Sequence, residues 1–196
     1  MEILLFIIAA YLVGSIPTSI VLARLFLRDD IRKSGSGNIG ATNAARILGK
    51  KFGALTFLGD LLKGFLPVCA GTLIYNSPTL TATFGLAAFL GHIFPVYLNF
   101  KGGKGVATAF GIFLCLAPSV ILVELLIFVL VAFLWRYVSL ASLTASTTIP
   151  FLLLAFSYPP PVILLSIIMA ILIFIKHRAN IKRILKGTEN KIGAAK

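Results

Sequence analysis

The chain has 196 residues, 59% of them apolar, with a mean hydropathy of +1.02 and a formal charge of +12. Soluble domains are roughly half apolar, so this composition excludes an ordinary soluble enzyme. A membrane span takes about 20 apolar residues, which leaves little chain for anything but one membrane domain over 1–196. The charge alone would admit nucleic acid, yet the basic residues sit in short connections between apolar segments, where they set membrane orientation, so no nucleic-acid partner is expected.

Apolar runs at 3–27, 53–75, 79–99, 106–135, 138–157 and 161–175 predict membrane helices. The first begins Met-Glu without a basic n-region and outruns the h-region of a signal peptide, so it reads as the first span. Cys69 and Cys115 fall inside apolar runs and read as packing residues, with neither metal spacing nor a disulfide framework. The run 106–135 would reach roughly 45 Å as one helix, too long for an upright span, and Pro118 is where it would divide. The basic residues arbitrate. Arg28, Arg32, Lys33, Arg46, Lys50 and Lys51 follow the first span, Lys101 and Lys104 the third, and Arg136 the fifth, while Lys176, Arg178, Lys182, Arg183, Lys186, Lys191 and Lys196 follow the last. The connections at 76–78, near 116–118 and at 157–160 carry none. Seven spans put every basic connection on one face, as the positive-inside rule expects, whereas six would put the basic tail outside. The expected fold is therefore an all-α integral membrane protein of seven transmembrane helices, N-terminus outside and C-terminus cytoplasmic, with the fourth and fifth helices short or tilted.

Between the first two spans, KSGSGNIGATNAAR (33–46) holds a G-x-G-x-x-G at Gly35, Gly37 and Gly40. A dinucleotide site needs those glycines inside a βαβ unit, and here a membrane helix and RDDIRKS precede them, so that reading fails. What survives is local: close glycines let backbone N–H groups converge, and ATNAARILG can start a helix whose N-terminus favours an anion. Arg46, about one turn along, could offer a bidentate guanidinium, and Ser34, Ser36, Asn38, Thr42 and Asn43 add short donors. The alternative is a flexible Gly/Ser loop with ordinary caps. Asp60 and Lys63, spaced i, i+3 inside the second span, read as a structural ion pair. KGGKGVATAFG (101–111) is no Walker A loop, because Gly105 follows Lys104 where Ser or Thr is required. Lys104 would still stand at a helix N-terminus and favour phosphate; the alternative is a basic turn that sets topology, with Lys101 meeting headgroups. Glu124 is an isolated acid without an assigned role. Ser139 and Ser142 share a helical face beyond Arg136, where small hydroxyls reach the cytoplasmic volume or only mediate packing. His177, Asn180 and Lys182 are expected on a short cytoplasmic helix, His177 and Asn180 on one face, followed by GTENK with Glu189. On spacing alone, such a histidine reads as a solvated or structural donor.

GSGNIGATNAAR, GHIFPVYLNFKGGKGVATAFG and HRANIKRILKGTENKIG resemble, in order, the three cytoplasmic motifs of the bacterial acyl-phosphate-dependent glycerol-3-phosphate acyltransferases, and DLLKG and RYVSLAS resemble that family's recurring segments. The resemblance runs from about residue 11 to residue 193. Ile39 stands where the family motif often has proline, which removes a fixed φ angle but no donor. The resemblance implies transfer of a fatty acyl group from acyl phosphate to glycerol 3-phosphate, giving 1-acyl-glycerol-3-phosphate (lysophosphatidic acid) and inorganic phosphate, the first acylation of phospholipid synthesis. It implies a place among the lipids of the bacterial cytoplasmic (inner) membrane, with the active site facing the cytoplasm and no cofactor; a monomer is compatible with this, but the sequence does not fix the oligomeric state. Lys104, His177 and Asn180 are the expected catalytic residues, and Ser36, Gly37, Asn38, Gly40, Thr42, Asn43, Arg46, Lys104, Ser142 and Lys182 the expected phosphate ligands. Cytoplasmic acids are too sparse for a two-metal site, so no metal is expected. Neither His92 nor His177 belongs to a His-x4-Asp pair, and no Ser-His-acid grouping stands out. Acyl phosphate is already activated, so a phosphate oxygen of the donor is preferred to His177 as the proton acceptor. The rivals are a small transporter for a phosphorylated solute, against which stands the lack of an internal repeat, and a lipid phosphatase, for which no nucleophile is evident.

Overall fold

The computed structural model describes residues 1–26 and 31–193; Arg28 and Lys196, both used in the charge argument, lie outside the described residues. Every element among the described residues is helical. The helices gather into two compact units, Met1–Leu116 and Ala117–Lys196.

The first unit holds α1 (Glu2–Gly14), α2 (Thr18–Phe26), α3 (Ala41–Leu48), α4 (Lys50–Tyr75), α5 (Pro78–Ile93) and α6 (Val106–Leu116). The apolar run 3–27, expected as one continuous span, is instead bent by 50° between α1 and α2. Pro17 explains the break, since it donates no backbone N–H and its ring clashes with the preceding turn. The central post is α4: α2, α3, α5 and α6 all pack on it, while α1 packs on α5. Small residues let these helices approach closely. Gly64 of α4 lies against Thr108, and Gly111 of α6 lies against the Leu61 backbone. Val68, Phe84, Phe89, Ile112 and Phe113 are buried around them. Cys69 and Cys115 do more than pack: they form a disulfide joining α4 to α6, with Cα atoms 5.9 Å apart. That pairing depends on which helices become neighbours, which spacing within apolar runs does not reveal.

The second unit holds α7 (Pro118–Trp135), α8 (Val138–Ala155), α9 (Pro160–Lys176) and α10 (Arg178–Leu185). Pro118 divides the long apolar run, as expected, and occupies the first turn of α7, where its missing N–H costs nothing. In this unit α8 packs between α7 and α9. Glu124 is buried on α7 and accepts a hydrogen bond from Thr148 of α8 at 2.8 Å. A carboxyl that would otherwise stand alone in hydrocarbon thus has a partner on the adjacent helix. On the outward surface Leu126 is 70% exposed and Phe133 80%, an apolar exterior that suits lipid.

Among the described residues four helices, α4, α5 with its 3₁₀ extension to Leu98, α7 and α8, are long and apolar enough to cross a membrane, and the bent pairs α1–α2 and α9–α10 each pass that test together, as a broken span or a re-entrant loop. The remaining apolar helix, α6, has 11 residues, only about 16 Å of rise.

Candidate active site

The 34–46 loop is shaped by two glycine turns and one buried asparagine. Gly35 and Gly37 take φ of +63° and +68°, left-handed values that glycine adopts without steric cost. Asn43 fastens the turn from inside: its Oδ1 accepts from the Ser36 N–H at 3.0 Å, and its Nδ2 donates to the carbonyls of Ile31 and Ser34, each at 3.3 Å. Asn43 is 1% exposed, so its amide is spent on the loop's own backbone. Ile39 is buried, and its carbonyl accepts from Ser19 Oγ of α2 at 2.5 Å. Where a proline would have fixed the chain by φ, Ile39 fixes it by burial and by this bond. The loop delivers Gly40 as the extended N-cap of α3, and no side chain caps that helix. Its first-turn N–H groups therefore point out of the helix end uncapped by a side chain, the arrangement that receives anions. Ser36, Gly37 and Thr42 are exposed around it, while Asn38, Gly40 and Arg46 are half-buried. Arg46 lies in the last turn of α3, about 7.5 Å of rise beyond Ala41.

On α4, Asp60 and Lys63 form the ion pair expected from their spacing, 2.8 Å between Oδ1 and Nζ, both buried. Asp60 Oδ1 also accepts from Thr18 Oγ1 at 3.0 Å, and Lys63 Nζ donates to the Ile16 carbonyl at 2.8 Å. The KGGKG turn wraps the end of α5. Gly103 donates its N–H to the His92 carbonyl at 3.2 Å, and a Cβ on Gly103 would collide with His92 Nε2. Gly102 presses likewise on His92 and Pro95, and Gly105 on Phe89. These glycines are required by close packing, and the Gly103 N–H is already committed to His92. What the turn presents is Lys104, half-buried and two residues before α6 begins.

The second unit carries a cluster whose centre is Glu189, for which no role was expected from the sequence. Ser139 Oγ and Asn180 Nδ2 donate to its Oε1 at 2.9 and 2.7 Å, and Arg183 Nε donates to its Oε2 at 2.6 Å. Burial would raise the Glu189 carboxyl, but the bonds from Asn180, Arg183 and Ser139 and the Arg183 charge outweigh it and hold the group below its ordinary value. The tail beyond it folds back: Arg136 Nη2 donates to the Ile192 carbonyl at 2.7 Å, the Ile192 N–H returns a bond to the Arg136 carbonyl at 2.7 Å, and Lys191 sits over the Tyr137 ring. Ser142 Oγ donates within its own helix to the Val138 carbonyl at 2.8 Å. His177 is not on α10 but at its junction with α9, where the two helices bend by 61°. Its Nδ1 lies 2.9 Å from the Ile173 carbonyl. A carbonyl only accepts, so Nδ1 is the donating nitrogen of this contact. Lys182 is exposed on α10.

In the first unit Ser36, Gly37, Asn38, Gly40, Thr42, Asn43 and Arg46 belong to one loop and the helix it leads into, and Lys104 to the turn before α6; in the second, Ser139, Asn180 and Arg183 meet on Glu189. Neither Glu189 nor His92 stands at helical spacing from the residues it holds, Ser139, Asn180 and Arg183 for the one and Gly103 for the other, so periodicity does not reveal their contacts. The only local signal for Glu189 was an acid inside an otherwise basic tail.

The family model of glycerol-3-phosphate acyltransferase matches residues 4–187. A glycerol-3-phosphate acyltransferase of Geotalea daltonii is 51% identical over 184 residues, covering 94% of either chain. The crystal structure of PlsY (YgiH), an integral membrane glycerol 3-phosphate acyltransferase, is similar in its glycerol 3-phosphate form with a TM-score of 0.94 and 44% identity, over 98% of this chain and 96% of that one. Its lysophosphatidic acid form matches with a TM-score of 0.90 and 43% identity, over the same shares of the two chains.

Proposed function

Because the chain belongs to the glycerol-3-phosphate acyltransferase family, we propose that it transfers a fatty acyl group from an acyl phosphate to the sn-1 hydroxyl of glycerol 3-phosphate. The products are 1-acyl-glycerol-3-phosphate and inorganic phosphate. The observation that carries this reading is the pairing of two anion-favouring features on one helical post: the α3 N-terminus, uncapped by any side chain, with Arg46, and Lys104 ahead of α6. Solved forms of a relative with glycerol 3-phosphate and with lysophosphatidic acid support the acceptor and the product.

Ser36, Gly37, Asn38, Gly40, Thr42, Arg46 and Lys104 are assigned to phosphate, with Asn43 acting through the loop backbone that it holds. Ser142, His177, Asn180 and Lys182 are assigned to glycerol phosphate, His177 through Nε2. The acceptor oxygen attacks the acyl carbonyl carbon, the carbon–oxygen bond to phosphate breaks, and the hydroxyl proton passes to a phosphate oxygen of the donor. Lys104 stabilises the oxyanion that develops, commonly the largest contribution in acyl transfer. Holding the hydroxyl against an activated carbonyl supplies much of the remainder.

The seven-span plan, with the short α6 as one span and the glycine loops facing the cytoplasm, is part of this reading. The Cys69–Cys115 disulfide supports it: disulfides persist in oxidising compartments, and this one lies toward the ends of α4 and α6 remote from Lys50 and Lys104.

Purified protein in detergent, where transport has no meaning, is expected to form lysophosphatidate and inorganic phosphate from acyl phosphate and glycerol 3-phosphate. No product from the wild type would sink the enzyme reading. His177→Gln is expected to raise KM for glycerol 3-phosphate while retaining measurable kcat; near-complete loss of kcat with binding intact would instead make His177 the base.

A further inference from the structure

Among the described residues of the first unit, Asp60, Lys63 and His92 are buried titratable side chains that the proposed chemistry does not use, each at most 5% exposed. An ion pair inside a membrane helix bundle is costly, and hydrophobic replacement of such pairs is often neutral or stabilising. Stability alone is therefore a weak reason for its presence. Its partners suggest another, because they lead to both glycine loops.

We propose that Asp60, Lys63 and His92 form a positioning device that holds the 34–46 loop and the KGGKG turn in one fixed geometry about α4; this rests on the acyltransferase reading above. One arm runs through the break in the first span. Lys63 satisfies the Ile16 carbonyl just before Pro17, and Asp60 takes the hydroxyl of Thr18 just after it. Ser19, the next residue, bonds the Ile39 carbonyl in the middle of the phosphate loop. The other arm runs through α5. His92 Nδ1 stands 3.8 Å from Asp60 Oδ1, while the His92 backbone carbonyl holds the Gly103 N–H and its ring fills the space a Cβ at Gly103 would need. Lys104 is the residue that follows. A rotation of the His92 ring therefore moves the backbone that carries Lys104, and a shift of Ser19 moves the backbone that leads to α3. A misplacement of about 1 Å at reacting groups costs on the order of 10²-fold in rate, so such a device acts on catalysis without touching substrate.

The test uses the purified full chain. His92→Leu is expected to keep a cooperative thermal transition but lose about 10²-fold in kcat/KM. His92→Gln, which restores a polar group toward Asp60, recovers part of that loss. In a Lys104→Met background His92→Leu adds less than about twofold, because both changes act through one turn. Ser19→Ala reads the other arm independently of whether His92→Leu folds, with a rise in KM for acyl phosphate on the order of tenfold from the lost bond. Wild-type activity in His92→Leu, a full additive loss with Lys104→Met, or an unchanged KM in Ser19→Ala would overturn the proposal. Calorimetric binding of inorganic phosphate separates it from the function reading. A wild type that makes no product sinks the acyltransferase, while phosphate bound as tightly by His92→Leu as by wild type sinks the positioning device.

Discussion

Asp60 and Glu189 each gather donors around one carboxylate, but by opposite routes. Asp60 takes its cation from the next turn of its own helix, at 2.8 Å and deep among packed helices, so most of that pair exists wherever α4 exists. Glu189 takes its donors from Ser139, Asn180 and Arg183, so its cluster exists only when the tail has folded back onto α8 and α10. The contrast separates a pin, built within one helix and buried inside the bundle, from a latch, built between a terminal segment and the helices that receive it. Removing half of a buried pin strands a charge, whereas removing a latch frees a segment that water can then solvate.

That contrast breaks most sharply at Lys63. Lys63→Met leaves Asp60 buried without its cation, and thermal or denaturant unfolding in detergent is expected to show a loss of about 3–5 kcal/mol, the cost of an uncompensated buried charge. A loss under about 1 kcal/mol would mean that the pair is already well solvated. Glu189→Gln removes the charge but keeps one acceptor, and about 1.5–3 kcal/mol is expected, the range for hydrogen bonds to a charged group. Hydrogen exchange should locate that loss at the Ile192 amide and leave α4 protected; uniform deprotection of both units would erase the distinction. The smallest effect is the same latch opened by protons. The Glu189 carboxyl is held below its ordinary value of 4.5, so its contribution is fully present above that value and is lost as pH falls through the lowered one. Exchange at Ile192, corrected for the intrinsic rate, is expected to stay slow near neutrality and to quicken only in that acid window, and Glu189→Gln should abolish the dependence.

The sequence by itself determined the class of molecule, because hydrophobic runs and the placement of basic residues are local quantities that a membrane reads directly. The Asp60–Lys63 pair, the division at Pro118 and the start of α3 after Gly40 were legible for the same reason: helical spacing and proline chemistry act within a turn or two. The break at Pro17 was equally local, yet it was hidden by an apolar run that continues across it. Tertiary structure alone decided that Cys69 meets Cys115, that His92 rather than phosphate takes the Gly103 N–H, that Asn43 spends its amide on its own loop, and that Glu189 closes the tail. Except for the Asn43 bonds, these join elements whose adjacency follows from how helices pack around α4 and α8, and packing is a property of surfaces in three dimensions that periodicity along the chain does not encode.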